Sequence, residues 1–220
     1  MIAADLISDE VIPLRTSDTG IKALAMMEEN RISHLPIVNN VEFLGLISEN
    51  DIYNLNEPEE PLGNHNLSLH KPYVVDTQHV YDVIRQISMQ KLTLVPVLDS
   101  DMSYLGVITI QRLVQAFAKF CAVDNPGGII ILEMNQHDYS LSQIAGIIES
   151  NDAKVLSLYI HADHESTKME VTIKVNKADI SGIIQTFNRY EYVIKATYNE
   201  DEFRESLRDR FDLFMNYLNV

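Results

Sequence analysis

The sequence predicts an α+β protein in which a unit of helix, strand, strand and helix is used twice, followed by a different domain of order βαββαβ. Three observations carry this. The block Arg31-Ile-Ser-His-Leu-Pro-Ile-Val38 returns as Lys91-Leu-Thr-Leu-Val-Pro-Val-Leu98, placing Pro36 and Pro96 60 residues apart. A second block, Phe43-Leu-Gly-Leu-Ile-Ser48, returns as Tyr104-Leu-Gly-Val-Ile-Thr109 at an offset of 61. The last third of the chain shares neither block and has its own alternation of strand and helix patterns. Internal repeats are read first because they decide the architecture.

Each copy starts with a helix, marked by Ile21, Leu24, Ala25 and Met27 in the first and by Val80, Val83, Ile84 and Ile87 in the second, at roughly helical spacing. A short apolar strand containing the proline follows. The turn after it, Asn39-Asn40 or Asp99-Ser100-Asp101, holds the one inserted residue that changes the offset. A second strand ends at Leu46-Ile47 or Val107-Ile108. Ser48 and Thr109 stand where a helix N-cap belongs, ahead of helices over Ile52–Leu55 and Leu113–Phe120. Between the copies, Asn56 to His70 contains Pro58, Pro61, Gly63 and three glutamates and reads as a linker.

The two copies, with Leu-Pro-Ile-Val, a turn and Leu-Gly-Leu-Ile-Ser-x-x-Asp in the first, resemble the CBS domain, named for cystathionine beta-synthase. Two in register resemble the CBS pair, or Bateman module, over roughly residues 1–122. The resemblance implies two βαββα units meeting along their sheets, with clefts that bind adenosine-containing ligands: AMP, ADP, ATP or S-adenosylmethionine.

In the last third, Gly128–Glu133 reads as a strand and Leu141–Ser150 as a helix with Leu141, Ile144, Ala145 and Ile148 on one face. Val155–His161 and Met169–Asn176 form a hairpin pair, the second carrying its alternation on Val171, Ile173 and Val175. Asp179–Arg189 is a helix capped by Asp179, and Tyr192–Tyr198 a fourth strand. The order βαββαβ is ferredoxin-like. Its length and the Leu141-x-x-Ile144 opening resemble the ACT domain, a small-molecule regulatory module; Tyr139 stands where that family usually has glycine. A final helix, Glu202–Leu218, shows an apolar stripe of Phe203, Leu207, Phe211, Phe214 and Leu218 suited to packing on the sheet or on a second subunit. The expected domains are CBS 1 over 1–60, CBS 2 over 61–122 and an ACT-like domain with a terminal amphipathic helix over 123–220. A CBS pair followed by ACT resembles the AcuB-type architecture associated with acetoin utilisation.

Composition narrows the function classes. The 220 residues are 46% hydrophobic, enough for a packed core. The single cysteine, Cys121, excludes an internal disulfide and suits a reducing compartment. No apolar run approaches the ~18 residues of a membrane helix, and Met1 to Glu10 has no basic n-region; a cytoplasmic protein without membrane attachment is expected. Residues 1–122 carry 8 basic and 16 acidic side chains, and 123–220 carry 9 and 16, so the parts are −8 and −7 of the total −15. Without clustered Lys and Arg to neutralise phosphates, nucleic-acid binding is not expected.

The CBS resemblance marks Ser48, Asp51, His34, Pro36, Thr109 and Arg112 as nucleotide-binding candidates. At Ser48-Glu-Asn-Asp51 the helix N-terminus offers N–H groups to a phosphate, and the carboxylate can accept from both ribose hydroxyls. The same tetrapeptide is also a capping box, and one residue can do both. His34 and Pro36 lie beside that cleft. At Thr109-Ile-Gln-Arg112, arginine replaces the acid; having donors only, it leaves the cleft either empty or suited to a more anionic ligand. His161-Ala-Asp-His164-Glu165 holds metal-ligand types but falls in a hairpin turn, where polar residues are expected. No catalytic signature and no phosphate-binding glycine loop is present. The reading is a regulatory, non-catalytic, homodimeric or larger protein that senses an adenosine nucleotide and acts on a regulated partner protein, its ACT-like domain assisting dimerisation or sensing a second metabolite. The rivals are an oligomerising adaptor with empty clefts and a metal-dependent enzyme using the His161 cluster.

Overall fold

The helix ends and hairpin irregularities of the first repeat recur in the second. The computed structural model describes residues 1–8, 10–67, 69–162 and 166–199, and divides after Ala116 into two units. In the first unit a 3-10 turn, Ala3–Leu6, precedes α1 (Gly20–Asn30), β1 (His34–Asn39), β2 (Glu42–Ser48) and α2 (Glu49–Tyr53). A 3-10 turn at Leu62–Asn64 then precedes β3 (Val74–Val75), α3 (Val80–Gln90), β4 (Leu94–Leu98), β5 (Tyr104–Thr109) and α4 (Ile110–Phe120), which runs past the boundary. Thr19 and His79 cap α1 and α3, which end at Arg31 and Lys91, both in the left-handed region. Both hairpins shift register at the same point, between Ile37 and Val38 and between Val97 and Leu98. The short helix after β2 begins at Glu49, three residues earlier than the apolar spacing predicts, because the Ser48 cap starts it.

The copies are interlocked rather than set side by side. Ala3 and Leu6, which lead into copy one, are buried in a core with Val83, Ile87, Val95 and Ile108 of copy two. Conversely, Leu62, at the head of copy two, is buried among Met27, Leu35, Ile37 and Ile47 of copy one. The expected linker over Asn56–His70 therefore needs correction: its centre is a structural counterpart of Ala3–Leu6. The matching hydrogen bonds, Ala3 N–H to Gln78 O and Leu62 N–H to Asp18 O, are both 2.8 Å. The Pro and Gly that mark this stretch as a loop in sequence shape a tight turn over a buried leucine.

Further along, each leading segment crosses the second strand of the other copy. Ser8 N–H donates to Val107 O, and Leu46 N–H donates to His70 O, each at 2.8 Å. The Leu-Gly dipeptides of the two repeats permit this. Gly45 has φ +150°, and a Cβ there would stand 2.5 Å from Leu69 Cβ; Gly106 has φ +156°, and its Cβ would stand 2.6 Å from Ile7 Cγ2. Neither position accepts a side chain without moving the crossing segment.

The second unit comprises β6 (Ile129–Asn135), α5 (Leu141–Glu149), β7 (Val155–Ala162), β8 (Lys168–Val175), α6 (Ser181–Arg189) and β9 (Val193–Tyr198). Among the described residues its four strands are antiparallel in the order β7-β8-β6-β9. Val171, Ile173 and Val175, the alternating residues of β8, share one core with Ile144, Ile147 and Ile148 of α5 and Ile183 and Phe187 of α6. Leu141, expected in that core, is 52% exposed, and Ile147 takes the place instead. Helix α6 starts two residues later than expected: Ile180 is the N-cap, and Asp179 accepts Ser181 N–H at 3.0 Å from outside it. His161 lies within β7, opposite Glu170, rather than in the turn. His164, Glu165 and the apolar stripe Phe203–Leu218 lie outside the described residues, and among the described residues no helix is long and apolar enough to cross a membrane.

Substituting Gly45→Ala or Gly106→Ala will destabilise the protein by about 1–3 kcal/mol through overpacking at the crossings. Gly146→Ala in α5, where a Cβ meets nothing within 4 Å, will instead stabilise by about 0.5–1 kcal/mol. Urea unfolding of the three variants checks the opposite signs.

Candidate functional site

One cleft opens where the leading segment of copy one meets the helix start of copy two, and a separate groove lies beside the short helix of copy one. In copy one, Ser48 Oγ accepts Asp51 N–H at 3.2 Å, while Asp51 Oδ2 accepts Ser48 N–H at 2.8 Å and the Ser48 hydroxyl at 2.7 Å. This is a reciprocal capping box. It occupies Oδ2 and gives Asp51 a structural duty whatever else it does. In copy two, Thr109 Oγ1 accepts Arg112 N–H at 3.2 Å, but the arginine has no acceptor with which to reciprocate. Both helix starts are also tied to the residue just before the first strand of their hairpin: Glu49 N–H donates to Ser33 O, and Ile110 N–H to Thr93 O, each at 3.1 Å.

His34 faces Ser48 across the β1–β2 hairpin and reaches into copy two. Its Nδ1 is 3.0 Å from Thr93 Oγ1, which itself accepts Ser33 N–H at 3.0 Å, and Thr93 N–H lies 3.4 Å from the same ring nitrogen. One tautomer satisfies all three contacts: Nδ1 accepts and Nε2 carries the proton. Burial holds His34 below the ordinary histidine value, against the opposing pull of the Asp51 and Glu49 carboxylates. Ser33 and Thr93 are the same position of the repeat, so this polar clasp sits where the copies meet. Pro36 is buried in β1, its carbonyl accepting Leu14 N–H at 2.8 Å.

A cleft of about 250 Å³ opens at the head of α4, lined by Ser8 and Glu10 from the leading segment and by Thr109, Gln111, Arg112 and Gln115. A second groove, of about 440 Å³, lies in copy one and includes Glu28, Arg31, Ser33, Glu49 and Tyr53. The structure thus brings Thr109 and Arg112 to the wall of one cavity and gathers His34, Ser48 and Asp51 into another site. Thr93, Ser8 and Glu10 are among the site residues that escape the sequence reading. Thr93 carries a signal, since it repeats the hydroxyl of Ser33. Ser8 and Glu10 carry none, because only the crossing of the chain brings them to copy two.

The family model of the CBS domain matches residues 3–56 and 67–119. The first unit is a tandem CBS pair. Among solved structures, a CBS domain pair/ACT domain protein from Thermotoga maritima is similar over 53% of this chain and 96% of its own, with 16% identity and a TM-score of 0.47. CBSX2, in complex with AMP, matches 53% of this chain and 95% of its own, at 21% identity and a TM-score of 0.45. The CBS domain of a bacterial CNNM/CorC family Mg2+ transporter, in complex with ATP, matches 52% and 85%, at 14% identity and a TM-score of 0.41.

Because burial disfavours the charged imidazole in the folded CBS pair, the unfolded chain binds a proton at His34 that the native protein resists. Stability therefore falls as pH drops below the unfolded histidine value of about 6.5. His34→Gln will flatten that part of the pH–stability profile, measured by urea unfolding between pH 7.5 and 5. Thr93→Val will strand the Ser33 N–H and cost about 1–3 kcal/mol at all pH values in that range.

Proposed function

We propose that the CBS pair is a regulatory sensor of an adenosine-containing ligand, and that its response is a change in how the crossing segments lie against the two strands. The carrying observation is the cleft at Thr109 and Arg112, which is walled by two parts of the chain about a hundred residues apart in sequence. A ligand between them binds unequally to arrangements that open or close the crossing, which is the condition for acting as an effector. Ser48, Asp51 and His34 form the second candidate site, where the remaining oxygen of Asp51 is the acceptor offered to a ribose. The occupied capping box favours a rival reading for this copy alone: an adaptor cleft that stays empty.

We read the second unit as an ACT-like, ferredoxin-type module, completing an AcuB-type arrangement of the kind associated with acetoin utilisation. Its βαββαβ order and strand order support this, as does the packing of both helices into one core. It serves dimerisation or a second metabolite, while the whole acts without catalysis in the cytoplasm, on a partner protein. CBS and ACT modules are commonly self-associating, so a homodimer or larger assembly is the expected form. Light scattering at micromolar concentration will give a mass of at least twice 25.0 kDa; a stable monomer contradicts this.

AMP, ADP, ATP and S-adenosylmethionine are the probes of choice. At a hundred times its Kd a ligand adds about 2.7 kcal/mol, which for a chain of this size raises Tm by about 5–10 °C. No shift with any of them at millimolar concentration establishes the adaptor reading. Asp51→Ala will weaken adenosine binding at copy one by about 10–150-fold, the worth of charge-assisted hydrogen bonds. Calorimetry reads this separately from the lost cap, and unchanged affinity reduces Asp51 to its capping role.

A further inference from the structure

The arginine in copy two does not stand alone in its cleft. Glu10, delivered by the leading segment of copy one, lines the same cavity of about 250 Å³. Both side chains are exposed, and the two opposite charges share this wall without forming an ion pair with each other. A guanidinium only donates, and its planar fork suits a phosphate. An ionised carboxylate only accepts and suits the paired hydroxyls of a ribose. A molecule filling the space between them must present donors at one end and an anion at the other.

We propose that this cleft is a site selective for phosphorylated adenosine, in which Arg112 takes the phosphate and Glu10 takes the ribose diol in place of the acid that copy one carries at Asp51. This rests on the nucleotide-sensing reading and adds to it the ligand's charge class and a residue that the repeat motif does not contain. The copy-one site offers opposite electrostatics. There Glu49 and Asp51 act on a histidine that burial holds toward its neutral form, and the neighbouring groove, which His34, Ser48 and Asp51 do not line, sets Arg31 beside two carboxylates, Glu28 and Glu49. A phosphate entering copy one meets net negative charge; in copy two it meets a balanced pair.

Titration calorimetry on the full chain with AMP, adenosine and inorganic phosphate tests this. Arg112→Ala will lower AMP affinity at one site by about 10–150-fold while leaving adenosine unchanged, so the preference for AMP over adenosine at that site disappears. Arg112→Lys will recover part of it. Glu10→Gln will weaken AMP and adenosine together, and phosphate alone will bind far more weakly than AMP. Tighter AMP binding in Glu10→Gln overturns the proposal, because Glu10 is then only a repulsive neighbour. So does phosphate binding as tightly as AMP, because the ribose then contributes nothing. If wild type binds AMP and neither variant changes it, this inference fails and nucleotide sensing stands. If wild type binds neither AMP nor adenosine, this inference fails, and nucleotide sensing fails with it only when ADP, ATP and S-adenosylmethionine also leave Tm unchanged.

Discussion

At Gly45 and Gly106 a strand of one CBS copy has no side chain, and the leading segment of the other copy lies in the space this leaves. The rest of the first unit follows from that close approach. The crossing brings Ala3 and Leu6 into the core of copy two and Leu62 into that of copy one, so neither copy completes its core from its own sequence. It also brings Ser8 and Glu10 to the head of α4, which makes a cleft from what is otherwise only a helix start. Burying a leucine or isoleucine is worth about 1.5–3 kcal/mol, so the exchanged residues hold a substantial share of the stability of a marginally stable domain. A ligand that tightens or loosens a crossing acts on that share directly.

Duplication supplied two equivalent scaffolds, and a few substitutions made them chemically different. The backbone bonds Glu49 N–H to Ser33 O and Ile110 N–H to Thr93 O are the same bond in both copies. Asp51 and Arg112 then occupy the same place with opposite hydrogen-bonding character. His34 is matched by Leu94, fully buried, so only copy one reaches across with a ring nitrogen. The charge of each cleft is thus decided at a few positions within a shared backbone frame, which is how one fold comes to present unlike sites.

The repeat, its hairpins and the Ser48 and Thr109 caps were legible in sequence because each depends on local spacing and on residue types with one dominant local role. The alternation in β8 was legible for the same reason. The exchange was not. Ala3-Ala-Asp-Leu6 and Leu62-Gly-Asn64 share no pattern that marks them as counterparts, and the prolines and glycine of the second read as a linker. Leu141 and Ile147 show a smaller failure: both fit a helical stripe, and only the seating of α5 on its sheet decides which is buried. In the clefts, the residues of the repeated motif were visible. Their partners from elsewhere in the chain, Glu10 and Ser8, became visible only in three dimensions.

Hydrogen exchange of the full chain, with and without AMP, reaches the central claim most directly, because exchange reports local opening segment by segment. If the ligand acts through the crossing, AMP will slow exchange in residues 1–10 and in residues 104–115 together. Protection confined to 104–115, with residues 1–10 unchanged, would contradict the account.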